Sequence, residues 1–410
     1  MKRSQPIRTA APILILLAGI GLPVFFGACG GSEDVVAERA RRAGQGGGEL
    51  LIGAAWPWAE RSEGHYAEGL AMAVEELNAG GGVLGRSLRL VKEDDHESVN
   101  EGRLVAQRFA DDPDIVAVIG HLNSHVSIPA APIYEAAGLL MLTPASTSPE
   151  LTEGGYRRIF RTVNTDEKIG HQMAAYAQGH GYQRVAICYV RNEYGLGLAN
   201  AFERHAADTG IQIADRQSYD PASRSAPASF QRIVDEWKDL NFDAVFLAGM
   251  APEAGHFVRQ VRQSGITAPI FGGDALDTME LIQAAGPSAE GVVVATIFHP
   301  DNPEPAAQAF AEAFERRYGM RPDSWAARGY EAVHLLAHAI EQAGTAAPDR
   351  VADALRQMDR YSGLNGAFGF DEKGDVVGKS LVTVVVRDGR FAFLNESRVA
   401  QAGTRTVAAR

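Results

Sequence analysis

The feature that most constrains the fold is a series of short apolar runs separated by amphipathic helical segments. Eight runs lack a strict alternation of apolar and polar residues: 50–55, 88–91, 115–120, 139–142, 185–190, 244–247, 270–272 and 292–296. Runs of this kind are typical of parallel strands that are covered on both faces. Between the first two runs, segment 66–78 places Leu70, Ala73 and Leu77 on one helical face. The pattern predicts an α/β fold with doubly wound sheets.

The number of runs predicts two lobes. Four runs precede Thr162 and four lie beyond it, which is more than one sheet comfortably holds, and 410 residues are enough for two domains. We expect the lobes to be joined by a hinge near residues 161–165, with a ligand cleft between them. The predicted division is lobe 1 at 49–163 and 299–375, lobe 2 at 164–298 and 376–398, and a tail at 399–410.

The amino-terminal segment has the layout of a signal peptide, which we place at residues 1–28. It carries three basic residues and no acidic one, followed by an apolar run over 10–26. An uncleaved membrane anchor is the alternative, because the run approaches the ~20 residues that span a bilayer. Pro12 and Pro23 within the run favour cleavage.

Cys29 is a candidate for lipidation. The segment Phe26-Gly27-Ala28-Cys29 resembles a bacterial lipobox, although Phe26 replaces the usual aliphatic residue. Residues 29–48 are polar and rich in glycine, which predicts a flexible tether. We therefore expect a protein on the periplasmic or cell-surface side of a bacterial membrane, held there only by a lipid on Cys29. The alternative is that Cys29 is an incidental small residue near a cleavage site.

Charge and cysteine content exclude several classes of function. The net charge is −12, and removal of the three basic residues of the signal segment takes it to −15. A protein this acidic, without clustered Lys and Arg, is not expected to bind nucleic acid. Cys188 lies in an apolar run, so a lipidated Cys29 leaves no intrachain disulfide. We expect no metal and no cofactor.

Polar loops follow several of the predicted strands, where ligands bind in open α/β sheets. Loops 121–127 and 143–149 supply hydroxyl groups and helix amino termini that can hold a carboxylate. Loop 191–195 also follows a predicted strand, and Asp274 supplies a carboxylate that can accept an ammonium group. The alternatives are ordinary helix caps for the hydroxyls and a solvated turn for Asp274.

Several of these segments resemble one known family. Residues 119–124 and 142–151 closely resemble the Leu/Ile/Val-binding proteins of branched-chain amino-acid ABC transporters, and further matches lie at 194–199, 272–274 and 370–375. The resemblance implies a type I periplasmic binding protein, in which two lobes close on a small amino-acid-like ligand. It also implies delivery of that ligand to ABC permease subunits by a monomeric protein.

The resemblance assigns roles to five residues. It makes Ser124 and Thr147 donors to the ligand α-carboxylate, with backbone contacts from Ala145. Asp274 matches the acidic residue that binds the α-ammonium, and Tyr194 matches an aromatic residue that lines the cleft. Because these residues belong to both predicted lobes, a bound zwitterion would stabilise closure.

The chain departs from the family around the ligand side chain. A small disulfide of the family is absent, and its positions hold Glu97 and Asn123. Trp56 and Trp58 follow the first strand, where we expect at least one to form an aromatic wall of the cleft; the alternative is that both pack in the rim. Met250 stands where a stacking aromatic residue is expected, which puts leucine-like specificity in doubt.

We expect no enzymatic activity. Ser124 between His121 and His125 invites a hydrolase interpretation, but the chain has neither a Gly-x-Ser-x-Gly elbow nor an HExxH zinc pair. The sequence predicts a solute-binding lipoprotein that serves an ABC importer. The alternatives are a ligand-sensing lipoprotein that is not linked to transport, or a binder of an amide or aromatic acid.

Overall fold

The computed structural model describes residues 31–61, 64–221 and 226–394. The predicted signal peptide, Cys29 and the tail at 399–410 lie outside these residues.

The helices are α1 Gly31–Gly44, α2 Tyr66–Ala79, α3 Val99–Asp111, α4 Ser124–Ala136, α5 Glu150–Glu153, α6 Asp166–Gly179, α7 Glu193–Asp208, α8 Ala226–Trp237, α9 Glu253–Gln263, α10 Met279–Ala285, α11 Pro305–Tyr318, α12 Ser324–Ala343 and α13 Pro348–Arg356. The strands are β1 Leu50–Trp56, β2 Leu88–Asp94, β3 Ile115–Ile119, β4 Leu140–Thr143, β5 Ile159–Arg161, β6 Arg184–Val190, β7 Gln212–Tyr219, β8 Ala244–Ala248, β9 Ile270–Gly272, β10 Val293–Thr296, β11 Tyr361–Gly363, β12 Gly366–Phe370, β13 Val376–Val377, β14 Val382–Arg387 and β15 Arg390–Phe393.

Lobe 1 is built on a five-stranded parallel sheet in the order β2-β1-β3-β4-β5. The three-stranded antiparallel sheet β11-β12-β13 packs on the same core, where the rings of Phe160 and Phe370 meet edge to face at 5.5 Å. Helix α12 lies against α2, and a Cβ at Gly69 would stand 2.0 Å from the carbonyl oxygen of Ala326. Only glycine permits this close helix contact.

Lobe 2 is built on a seven-stranded sheet in the order β15-β14-β10-β9-β8-β6-β7. Strands β6 to β10 pair in parallel, whereas β14 and β15 add to the edge in antiparallel orientation. Its core contains a parallel stack of Phe202 on Phe246, with ring centroids 4.0 Å apart. All eight predicted apolar runs form strands, distributed four to each sheet.

The chain passes between the two sheets three times. The first passage, at 162–165, lies where the sequence predicted a hinge. The second follows β10, and the third follows Val377, because β13 still pairs with β12 of lobe 1. The predicted boundary after residue 375 was therefore two residues early. Lys379 ties the third passage to the first, since its Nζ donates to the carbonyl oxygen of Thr162 at 2.8 Å.

Residues 31–44 correct the prediction of a flexible tether over 29–48. They form α1, which is docked on lobe 1 through the fully buried side chain of Arg39. The Arg39 guanidinium donates to the carbonyl oxygens of Ala110 at 2.6 Å and Ile115 at 2.9 Å, among others. Composition misled the prediction, because most hydrogen bonds of this helix to lobe 1 come from one buried charged side chain, and of its described residues only Ala43 is part of the lobe 1 core.

None of the helices in the described part of the chain combines the length and the apolar character that a membrane crossing requires.

Candidate ligand-binding cleft

A cleft of about 760 Å³ lies between the lobes, at the carboxyl ends of the strands of both sheets. This volume includes space that is open to solvent; the space free for the centres of water-sized molecules is about 70 Å³, so the two lobes stand close together. Lobe 1 lines it with Trp56, Arg61, Gly64, Tyr66, Leu122, Asn123, Ser124, His125, Ala145 and Trp325. Lobe 2 lines it with Asn192, Tyr194, Met250, Ala251, Asp274, Ala275, Thr278 and Glu280. Five of the seven predicted ligand-binding residues are therefore brought together here, and Thr147 and Trp58 are not among the lining residues.

The lobe 1 wall presents the first turn of α4. Asn123 caps this helix in extended conformation, and the Ser124 hydroxyl accepts a hydrogen bond from the backbone N–H of Ser148 at 3.2 Å. Ala145, in the loop after β4, lines the same wall, and its backbone N–H donates to the Thr143 hydroxyl at 3.2 Å. Helix amino termini favour negative charge, so this wall suits a carboxylate. Thr147 is buried behind it, and its carbonyl oxygen accepts from the Asp166 N–H at 2.9 Å.

The lobe 2 wall presents Tyr194 and Asp274. Tyr194 lies in the first turn of α7, and its hydroxyl accepts from the N–H of Ala275 at 3.3 Å. Burial raises the pKa of Tyr194, and the nearby charge of Asp274 raises it further, so the phenol stays protonated. The hydroxyl thus holds the start of the Asp274 turn in place while the ring forms part of the wall.

Asp274 is paired across the lobes with Arg328 from α12, an ion pair that the sequence did not predict. The Nη2 of Arg328 lies 2.9 Å from Oδ2 of Asp274, and its Nη1 donates to the carbonyl oxygen of Pro144 at 3.2 Å. Both charged side chains are almost fully buried. In the sequence Arg328 is one charged residue within a long helix, so no local pattern indicated this partner.

A second buried carboxyl group lies close to Asp274. Asp166 begins α6, and burial raises its pKa well above the usual range. The charge of Asp274 adds to this rise, and neither carboxyl oxygen of Asp166 has a hydrogen-bond partner among the described residues. The carboxyl group of Asp166 is therefore harder to ionise than a free one, and it lies close to the Asp274 side chain.

Three aromatic side chains form one wall of the cleft. The indole of Trp56 stacks on Tyr66 with centroids 3.8 Å apart, and Trp325 meets Trp56 edge to face at 5.9 Å. Trp58 turns toward the rim, where its Nε1 donates to the carbonyl oxygen of Glu93 at 3.1 Å. Tyr66 and Trp325 were missed because their helices give no sign, in sequence, of which end faces the cleft.

Three polar atoms of cleft-lining residues have no hydrogen-bond partner among the residues that the structure describes. They are the hydroxyl of Tyr66, Nδ2 of Asn123 and Oδ1 of Asp274. Unpaired buried polar groups are costly, and they mark places where a ligand can supply the missing partner. The two lobe 1 atoms can donate, whereas the lobe 2 atom can only accept, so the arrangement suits a ligand with opposite charges at its two ends.

The two histidines near Ser124 are engaged elsewhere. His121 is buried between Asp95, 2.6 Å from its Nδ1, and the Tyr134 hydroxyl, 2.9 Å from its Nε2. His125 Nε2 lies 3.0 Å from the carbonyl oxygen of Glu97. With the Ser124 hydroxyl bonded to the backbone, the geometry does not form a nucleophile and base pair.

Outside the cleft, Glu60, Asp94 and His96 bring their potential ligand atoms within 4.8 Å of one another. His96 Nδ1 lies 3.1 Å from the Glu60 carboxylate, which raises the pKa of the imidazole. Glu60 and His96 are exposed and Asp94 is partly buried, and His96 pairs with both carboxylates.

Comparison with known proteins places the chain in a family. Residues 58–390 match the family described as periplasmic binding protein. The leucine-, isoleucine-, valine-, threonine- and alanine-binding protein of Pseudomonas aeruginosa is 32% identical over 309 residues, which cover 75% of this chain and 81% of that protein.

Two solved structures are similar throughout the two lobes. An ABC transporter substrate-binding protein from Desulfitobacterium hafniense, in complex with Leu, is 43% identical, with a TM-score of 0.76 over 84% of this chain and 100% of its own. A leucine-binding protein from Thermotoga maritima is 31% identical, with a TM-score of 0.77 over 84% of this chain and 98% of its own. These matches confirm the predicted two-lobed fold. The chain therefore belongs to the periplasmic binding proteins, a family of solute-binding proteins, and its resemblance to the Leu/Ile/Val-binding proteins is confirmed.

Proposed function

We propose that this protein is an exported, lipid-anchored solute-binding protein that captures a small amino-acid-like ligand between its lobes and delivers it to an ABC importer. The observation that carries the proposal is the unpartnered Oδ1 of Asp274, a lobe 2 residue that lines the same cleft as Ser124 at the helix terminus in lobe 1. A zwitterion supplies an ammonium group for the first and a carboxylate for the second.

Ser124, Asn123 and the backbone at Ala145 bind the ligand carboxylate. Thr147 supports this wall from behind, where it is buried beside the start of α6. Tyr194 positions the Asp274 turn, and Asp274 accepts the ammonium group. Because carboxylate and ammonium contacts belong to different lobes, the bound ligand stabilises the closed state over the open one.

The ligand side chain packs against Trp56 and Tyr66, with Met250 opposite on lobe 2. The unbranched thioether of Met250 adapts to side chains of different shape. Since relatives of this chain are described as leucine-binding proteins, apolar amino acids lead the candidates. An aromatic amino acid fits the three-ring wall equally well.

The export and anchoring steps rest on the sequence of residues 1–29, with Cys29 as the lipidated residue. Cys29 stands two residues before α1, so the lipid would hold lobe 1 near the membrane with little free chain between them. Membrane fractionation of cells that express the native chain or Cys29→Ser tests this step. The substituted protein is expected in the soluble fraction.

A thermal-shift screen tests the ligand class. The mature chain from residue 29, carrying Cys29→Ser to keep it free of lipid, is screened against amino acids, amides, aromatic acids and polyamines. A ligand at 100 times its dissociation constant adds about 2.7 kcal/mol to the free energy of unfolding. A shift with an amide or aromatic acid and none with any amino acid would favour the alternative ligand classes instead.

Uptake of the radiolabelled ligand by cells with and without this protein separates transport from sensing. An importer component is required for uptake, whereas a sensor leaves the uptake rate unchanged. Size-exclusion chromatography with light scattering tests the proposed monomer, and binding in metal-free buffer tests the proposal that neither a metal nor a cofactor is needed.

A further inference from the structure

Arg61 closes one part of the cleft with a set of contacts separate from the Asp274–Arg328 pair. It follows β1 in lobe 1 and lines the cleft, with about one fifth of its side chain exposed. Its Nη1 reaches across to lobe 2, where it lies 2.7 Å from Oε2 of Glu280 and donates to the carbonyl oxygen of Ala251 at 2.9 Å. Its Nε lies 2.5 Å from Oε1 of Glu97 in lobe 1.

The two carboxylates that hold Arg61 come from different lobes. Glu97 precedes α3, and Glu280 lies in the first turn of α10. Their side chains are 28% and 15% exposed, so both are substantially shielded from water. Removal of one partner from a shielded ion pair is costly, because the remaining charge is then held away from water without a counter-ion.

The surroundings of Arg61 carry more negative than positive charge. Burial acts to lower the pKa of Arg61, but the charges of Glu97, Glu280 and Glu253 outweigh it and raise the pKa overall. The acids around this part of the cleft would therefore attract any cation of suitable size. In this protein the cation among these acids is the guanidinium group of Arg61.

We propose that Arg61 is a specificity-determining residue, whose guanidinium occupies the place of a cationic ligand side chain and so restricts the cleft to amino acids with uncharged side chains. This inference rests on the proposed function. A lysine or arginine ligand would have to displace Arg61 or bring a second positive charge beside it. An acidic ligand would have to compete with Glu280 for Arg61 and leave that carboxylate without its cation.

Substitution of Arg61 tests the proposal by a change of specificity. Isothermal titration of the mature Cys29→Ser chain measures affinities for leucine, phenylalanine, glutamine, lysine and arginine, first with Arg61 intact and then in Arg61→Ala. We expect the protein with Arg61 to bind one or more of the uncharged ligands and neither of the basic ones. In Arg61→Ala, we expect affinity for the uncharged ligand to fall at least tenfold and affinity for lysine or arginine to rise at least tenfold. Changes of this size are on the order of the interaction between two charges that are shielded from water.

Two control variants separate charge from shape. Arg61→Lys keeps the cation and should keep the preference for uncharged ligands. The double variant Arg61→Ala with Glu280→Gln removes the partner of Arg61 that lines the cleft and should abolish the gain for basic ligands. Circular dichroism and the thermal midpoint establish that each variant is folded.

A complementary variant does not depend on the stability of Arg61→Ala. Glu97→Gln with Glu280→Gln removes two of the three acids around Arg61 and leaves only Glu253 to balance its charge, so we expect at least tenfold stronger binding of glutamate. Unchanged ligand ranking in this variant and in Arg61→Ala would overturn the inference while leaving the proposed function intact, as would a basic amino acid that binds when Arg61 is intact. If the chain with Arg61 binds no amino acid at all, the proposed function itself fails.

Discussion

Asp274 and Arg328 form a buried ion pair, 2.9 Å between Oδ2 and Nη2, that joins lobe 2 to lobe 1 at the cleft. One carboxylate oxygen of Asp274 is thereby occupied, and Oδ1 remains without a partner among the described residues. The pair can hold the acceptor in place before a ligand arrives, because Arg328 is itself held by the carbonyl oxygen of Pro144. A side chain that is already held in place loses little conformational entropy when the ligand binds, and this increases affinity.

Asp274→Asn is expected to weaken binding of an amino acid by at least tenfold, measured by isothermal titration. The amide cannot pair with an ammonium group by charge, and it leaves Arg328 buried without its counter-ion. The urea-unfolding free energy of the ligand-free protein should fall as well. Glu193→Gln, an exposed acid beside Tyr194, is the matched control and should change neither quantity. Equal affinities for the native protein and the Asp274→Asn variant would contradict the ammonium assignment.

Tyr66→Phe separates ligand binding from folding stability. Because the Tyr66 hydroxyl has no partner among the described residues, its removal should leave the unfolding free energy of the ligand-free protein unchanged or slightly higher. Affinity should fall by about 0.5–1.5 kcal/mol if the ligand accepts or donates a hydrogen bond there.

Tyr134→Phe is the control for that prediction. Its hydroxyl lies 2.9 Å from His121 Nε2 in the lobe 1 core, so its loss should reduce stability and spare affinity. Affinity is measured by calorimetry and stability by urea unfolding. If Tyr66→Phe lowers stability and leaves affinity unchanged, the Tyr66 hydroxyl does not face the ligand.

Arg39→Ala is expected to cost about 2–4 kcal/mol of unfolding free energy, measured in urea. The substitution removes a buried guanidinium that several backbone carbonyl groups share, so each of those carbonyl groups loses one donor. Burial lowers the pKa of Arg39 to about 10, so the side chain is still charged near pH 7. Arg41→Ala, on the exposed side of the same helix, should change stability by less than about 0.5 kcal/mol. Similar losses for both would mean that α1 is not docked through Arg39.

Asp277 predicts a specific dependence of stability on pH. Burial raises its pKa from 3.8 to about 6, partly offset by a hydrogen bond from the Thr296 hydroxyl. The folded protein therefore binds more protons than the unfolded chain between about pH 4 and pH 6, and stability contributed by this group falls as the pH rises through that interval. Two pKa units correspond to about 3 kcal/mol.

Asp277→Asn is neutral at every pH and should remove this contribution. The unfolding free energy is measured in urea at pH 4, 5, 6 and 7. The value for the variant minus the value for the native protein should increase as the pH rises and become constant above about pH 7. A constant difference between the two proteins over this range would mean that Asp277 titrates at its ordinary pKa.

The parallel architecture was predictable because it depends on local patterns. Short apolar runs that alternate with longer amphipathic segments are typical of parallel strands covered on both faces, and all eight formed strands. The strand β7 was missed, since it lies at the edge of its sheet, is mostly half-buried and has an ordinary polar composition. The helix α1 was missed because its attachment depends on what Arg39 reaches, which composition does not encode.

The residues of the candidate site also divide into those that the sequence predicted and those that only the structure revealed. Ser124, Ala145, Tyr194 and Asp274 could be named from motifs, because each follows directly from the end of a strand. By itself, the sequence therefore determined the eight apolar strands, the two lobes and several of the residues that line the cleft. Only the tertiary structure decided that Arg328 neutralises Asp274 and that Arg61 spans the lobes, because these partners are far apart along the chain and meet only when two sheets close on each other.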